Sequence, residues 1–302
     1  MAVSLRQRNV LLLHFTVLIW GFTGVLGGLI TVSALPLVWY RVGIAAVSLG
    51  LYFLVTKRSM RISLGDTAKI LVIGCVVGLH WVLFFHAIKI STVSVTLVAL
   101  SSVTLFTAIL EPLFNRRKPS LADITVGLII ILGIYLIFKF EFQYLWGIVF
   151  GLSAAFCASI FGIFNARMVK KHSPTIITFY EMLGAFLGVS VVMLVNGQFS
   201  EELILSAKDW SYLLLLGIAC TALAYVLGVA VMKELSAFAV ALATNMEPVY
   251  GIIIAMLVFG HKETMSTGFY IGAVIVLAAV FFYPYLKAKL DKSKWKVVKK
   301  LA

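Results

Sequence analysis

The sequence predicts an all-α integral membrane protein with ten transmembrane helices arranged as two inverted five-helix repeats. Three observations lead there: a composition foreign to soluble domains, apolar runs of membrane-spanning length, and an internal likeness between the halves. Of 302 residues, 62% are hydrophobic and 12% charged, whereas soluble domains carry roughly 25% charged residues. The apolar runs are about 20 residues long, enough to cross roughly 30 Å of hydrocarbon. The short alternating segments of a membrane β-barrel are absent.

The expected spans are 10–30, 34–55, 68–88, 92–114, 120–138, 143–166, 174–195, 209–232, 235–259 and 265–286. The first carries Trp20; its apolar run is too long for a cleaved leader and lacks a small-residue cleavage pattern, so it belongs to the bundle. The second starts near Pro36 and holds Arg41, and the third holds His80 and Trp81. The fourth contains "SSVTLF" (101–106), and the fifth closes the first half. The sixth opens the second half, and the seventh starts at Pro174 and holds Glu181. The longest connection, 196–208, is too short for a soluble domain and so excludes an extramembrane catalytic unit. Tyr225 falls in the eighth span and "ATNMEPVYG" (243–251) in the ninth; the tenth leads into a basic tail.

The net charge of +13 does not imply nucleic acid, because its distribution is that of a membrane protein. With ten spans both termini share one side. Twenty of the 25 lysines and arginines fall there, among them Arg58, Arg61, Arg116, Arg117, Lys118, Arg167, Lys170 and Lys233. Lys89, Lys139, Lys208 and Lys262 lie opposite, and Arg41 lies within a span. Positive charge collects on the cytoplasmic side, so the expectation is a multi-pass protein of a plasma (cytoplasmic-type) membrane with both termini cytoplasmic. The tail "KAKLDKSKWKVVKK" is expected along anionic lipid headgroups. Cys75, Cys157 and Cys220 lack metal-ligand spacing and read as packing residues. No cofactor or metal is implied.

Shifted by 144 residues, "HWVLFFHAIKISTVSVTLVAL" falls on "AYVLGVAVMKELSAFAVALAT", pairing Trp81 with Tyr225 and Lys89 with Lys233. A shift of 145 pairs Gly127 with Gly272, and one near 138 pairs Pro36 with Pro174. Five spans per half force opposite insertion of the two copies, a signature of secondary transporters with midplane sites. The expected divisions are 1–139, 140–290 and the basic tail 291–302.

Trp20–Gly21, "PLVWYR", "FFHAIKIS" and "LSAFAVALATNMEPVYGIIIAMLVFGHKE" together resemble EamA-type members of the drug/metabolite transporter superfamily, over nearly the whole chain. The resemblance implies alternating-access export of a small metabolite such as an amino acid or a nucleobase-like compound. It also implies a cavity inside helices 1–4 and 6–9, with helices 5 and 10 peripheral. One departure stands out. The fourth span has "SSVTLF" where the family often has a proline and carries Pro112 later, which puts symmetric behaviour of the two pore helices in question.

Ionisable groups inside a bilayer cost several kcal/mol unless they face protein, water or a partner. Glu247, with Asn245 beside it and Pro248 interrupting the helix, is the leading candidate for a central polar site; a buried structural pair is the alternative. Trp20, Trp81, Tyr225, Tyr250 and Ser101 are the other candidate substrate contacts, set against ordinary core packing. Arg41, Glu181 and His80 are candidates for gating or proton coupling. The Arg41 guanidinium can bind a carboxylate in bidentate fashion, either a substrate's or that of a gate partner. Against these roles, Arg41 could snorkel, Glu181 could bond Asn165, and His80 could be a satisfied core donor. Glu111 reads as an interfacial group paired with Arg116 or Arg117. Phosphate-binding glycine loops, paired metal histidines and nucleophile elbows are absent from the sequence. The rivals to a carrier are a membrane enzyme on lipid intermediates, built on Glu111, Arg116, Arg117 and Lys118, and a passive channel. Neither the coupling ion nor an oligomeric state is specified.

Overall fold

The computed structural model describes residues 5–116, 120–199 and 203–301. Arg117 and Lys118 lie outside the described residues, as do the side chains of Arg6 and of the basic tail beyond residue 289. The described chain is helical: α1 (Leu5–Leu29), α2 (Ala34–Thr56), α3 (Leu64–Ile90), α4 (Val93–Leu100), α5 (Val103–Phe114), α6 (Leu121–Phe140), α7 (Leu145–Met168), α8 (Pro174–Val195), α9 (Ala207–Gly217), α10 (Ala224–Val231), α11 (Ala237–Thr244), α12 (Met246–Phe259) and α13 (Thr267–Leu301). Among the described residues eight segments are long and apolar enough to cross a membrane, with α4–α5, α9–α10 and α11–α12 each counting as one segment. The expected fifth and tenth spans are helical, but their apolar stretches are shorter, Thr125–Ile137 and Thr267–Tyr283.

Several spans begin where a hydroxyl meets the first free amides. Ser63, Thr92, Ser173, Ser206 and Ser236 each accept a hydrogen bond from the amide three residues on, at 3.0–3.3 Å. In an apolar medium such caps matter because no water replaces them. Pro174 follows Ser173 at the first helical position, where its missing N–H costs nothing.

Helix α3 packs on α7 and α8, α2 on α8 and α9, and α1 on α12 and α10. Helices α4 and α5 pack on α7, while α4 meets α12 and α5 meets α11. Backbones touch where α3 meets α8: a Cβ at Gly74 would collide with the backbone of Glu181, and one at Gly184 with that of Leu71. Small residues allow this close approach in bilayers. The α6–α13 pair has its own apolar core, around Val126, Ile130, Phe269 and Val276, beside the main one.

Contacts among the connections define two faces. On the basic face, His172 Nε2 lies 2.9 Å from Asp66 Oδ2, and Arg167 Nη2 donates to Phe114 O (2.7 Å) and Asn115 Oδ1 (3.0 Å). Lys170 reaches the carbonyl of Lys233. On the opposite face, Asp209 accepts from Thr31 N and Oγ1 at 2.8 and 2.7 Å, and Lys89 reaches the carbonyl of Ile30.

Candidate functional site

Two crossing segments are interrupted at their centres. The first breaks at Ser101–Ser102, between α4 and α5, and the second at Asn245, between α11 and α12. The 144-residue offset places Ser101 on Asn245, so the breaks coincide although only one carries a proline. Pro248 is the third residue of α12, within the first turn, where a missing N–H is tolerated. It starts a helix rather than kinking one.

The breaks are joined to each other. Asn245 Nδ2 donates to Thr104 Oγ1 at 2.5 Å, to Ala241 O at 2.8 Å and to Leu242 O at 3.2 Å. Thr104 Oγ1 donates in turn to Ala241 O at 3.1 Å. The Asn245 amide thus serves carbonyls around the break and binds it to α5. Asn245 is buried and does not line the cavity described next.

That cavity, of about 130 Å³, lies among α1, α2, α3, α4–α5, α7, α10 and α11–α12. Its lining includes Trp20, Arg41, His80, Trp81, Ser101, Tyr225 and Glu247, seven residues that the sequence nominates. It also includes Thr107, Phe161 and Ala237, which the sequence reading passes over. Thr107 also lines a second cavity, with Glu111, Ser236 and Lys287, at the basic face. The central space therefore extends from the breaks toward that face. Tyr250 and Glu181 stand outside it.

The Glu247 carboxylate makes no hydrogen bond or ion pair with another described residue, and its side chain is 8% exposed. Arg41, expected near a gate, is instead buried at 1% exposure. Its Nε donates to Thr221 Oγ1 at 2.6 Å, and its guanidinium lies 4.1 Å above the Trp81 ring and 5.3 Å from Phe85. Its neighbours Trp39 and Tyr40 point elsewhere, to Ser190 Oγ and Leu203 O. Arg41 does not snorkel.

The partner that receives Arg41 comes from an irregularity. Residues Ile218–Leu223 form a π-helical turn between α9 and α10, in which Thr221 Oγ1 donates to Leu216 O, five residues back, at 2.7 Å. Single π turns of this kind recur at functional positions. Gly217 stands just before this turn and packs against Ile44 of α2, but no proline marks it.

Tyr225 forms part of the cavity wall, in edge contact with Trp81 at 5.8 Å and beside Phe161 at 6.0 Å. Behind it, Asn165 Nδ2 donates to Tyr225 Oη (3.1 Å) and to Glu181 Oε2 (3.3 Å). Glu181 thus makes the Asn165 contact that the sequence offered as its structural alternative. His80 Nδ1 lies 2.8 Å from Ala154 O, and its ring stacks 6.2 Å from Phe84.

Carboxylates also hold the ends of the broken segments, reciprocally. Glu263, just after α12, accepts from Val93 N and Ser94 N at the start of α4, both at 2.9 Å. Glu111, in the last turn of α5, accepts from Phe238 N near the start of α11 at 3.1 Å. The sequence expects Glu111 to pair with a nearby arginine; the amide of Phe238 is a partner it does not foresee.

Helices that break around a central cavity holding a carboxylate with no direct ion pair, and whose broken segments cap one another, define a polytopic membrane transporter. The chain belongs to the EamA-like transporter family, whose sequence model matches residues 7–139 and again 145–284. It is 25% identical to an uncharacterized transporter of Archaeoglobus fulgidus over 199 residues, 65% of this chain and 69% of that one. It is also 25% identical to the uncharacterized transporter YdfC of Bacillus subtilis over 276 residues, 90% and 88% of the two chains. A solved structure described as "Crystal structure of protein" shares the fold at a TM-score of 0.69, with 14% identity over 95% of this chain and all of the other.

Proposed function

We propose that this protein is a secondary transporter that exports a small organic metabolite, an amino acid or a nucleobase-like compound, by alternating access. In this reading the chain crosses a plasma membrane ten times, with both termini cytoplasmic. Residues 1–139 and 140–290 are inverted repeats. The basic tail 291–302 lies on anionic headgroups.

Several features support the repeat. The family model matches each half once, and the breaks share the 144-residue offset. Exchanging the first five spans for the last five also preserves the helix neighbours. The α1–α12 contact then corresponds to that of α7 with α5, and the α3–α8 contact to that of α2 with α9. The caps made by Glu263 and Glu111 exchange in the same way.

The single observation that carries the transport reading is the unpaired Glu247 carboxylate in a cavity between the two breaks, reaching toward the basic face. A carboxylate there needs a cation, a donor or a proton from the solute side. Ser101, Trp20 and Trp81 flank it as substrate contacts. Asn245 acts through the helix break, and Tyr250 supports α12 against α1, where it faces Gly21. His80 and Glu181 are the candidates for coupling flux to protons.

The test compares metabolites in the medium of cells making the wild-type protein, Glu247→Gln at equal membrane level, or neither. Export should fall at least about tenfold in the variant, the loss expected when one charge-assisted contact disappears. Equal media with altered lipid intermediates would transfer the protein to the lipid-enzyme reading. Flux that neither saturates nor shows counterflow would indicate a channel.

A further inference from the structure

The end of the cavity away from the basic face is built around a cation. Arg41 is held at one edge by Thr221 through Nε and on one face by Trp81. Its Nη1 is buried and has no hydrogen-bond partner among the described residues. Burying a donor without a partner is costly, and arginine carries five donors in a fixed fork. The obvious internal partner does not reach it. Glu247 lines the same cavity and acts on Arg41 electrostatically from a distance, but no direct ion pair joins the two.

We infer that Arg41 is a substrate-binding residue that receives, at its Nη1 side, the carboxylate of a small organic acid. The apolar body of that acid lies against Trp81, Tyr225 and Phe161. This inference rests on the transport reading and narrows its substrate class to carboxylate-bearing compounds. The planar guanidinium matches a carboxylate in geometry and charge, whereas a neutral nucleobase presents no anion to it. The π turn contributes by fixing Thr221, which takes Nε and leaves Nη1 without a partner among the described residues. Glu247 then suits an ammonium or hydroxyl donor elsewhere on the same molecule.

The test uses the full chain in detergent and in liposomes, with four probes: 3-phenylpropionate, 3-phenylpropionamide, phenethylamine and adenine. Intrinsic fluorescence reports binding, because Trp20 and Trp81 line the cavity. The acid should bind at least about tenfold more tightly than each of the other probes, the discrimination expected of one buried charge-assisted pair. Arg41→Gln should bring acid and amide to nearly equal affinity, and Arg41→Lys should keep part of the preference. Should Arg41→Gln fail to fold, the wild-type comparison of acid with amide still decides, and Thr221→Val should weaken the acid selectively. Preference for the amine or adenine, no binding of the acid at millimolar concentration, or an unchanged acid preference in folded Arg41→Gln overturns the inference. Binding of the acid without flux of any solute in liposomes would instead remove the transport reading and leave the Arg41 assignment standing.

Discussion

The two broken segments reach one geometry by different chemistry. In α11–α12 the break is written with Asn245 and Pro248, an amide that collects loose carbonyls and a proline set in the first turn of the new helix. In α4–α5 it is written with two serines, and Ser101 Oγ donates only to Leu97 O, one turn back, at 3.3 Å. The side chain that ties the breaks together, Asn245, belongs to the second segment and borrows Thr104 from the first. A helix can therefore be interrupted inside a long apolar segment without proline at the break when its neighbour supplies the hydrogen bonds. Their caps differ as well: Glu263 is buried and takes two amides, whereas for Glu111 one amide partner, Phe238 N, is resolved.

The caps offer the sharpest way to break the comparison. Glu263→Gln loses an anion facing two amides and turns an N–H₂ toward one of them. It should destabilise the folded protein by about 2–3 kcal/mol in reversible unfolding from mixed micelles. Glu111→Gln should cost about 1 kcal/mol for weakening its bond to the Phe238 amide at a partly exposed position. Equal losses would mean that the two ends are held alike.

Asn245→Ala comes next. Removing an amide that serves two carbonyls and Thr104 should cost about 2 kcal/mol, while Ser101→Ala should cost under about 0.5 kcal/mol. A Ser101 effect as large as that of Asn245 would show that the first break is held locally rather than borrowed. Pro248→Ala is expected to stay within about 1 kcal/mol of wild type, since a first-turn position needs no N–H. Straightening of α11–α12 in that variant, read from a spin-label distance across residue 245, would show that proline rather than asparagine causes the break.

How much of this was legible shows best residue by residue. Glu247 was legible because a carboxylate amid apolar residues has few inexpensive places to be. The break at Ser101 was not legible, because without a proline there the sequence puts symmetric behaviour of the two pore helices in question. Arg41 was legible as a group that could hold a carboxylate, a substrate's or a gate partner's, but its depth along α2 fits a snorkelling anchor as well. Only the π turn that presents Thr221 draws it inward. Tyr250 and Asn245 were read as facing the substrate, yet one packs against α1 at Gly21 and the other turns into its own helix break.

By itself, then, the sequence determined that the chain is a bundle of membrane helices, where one of its breaks lies, and which few groups are too costly to be idle. The tertiary structure decided which way each side chain faces. In water a helix announces its buried side by its polarity. In a bilayer the lipid is as apolar as the core, so that signal vanishes, and the packing of small residues and hydrogen bonds alone turns each helix to its neighbours.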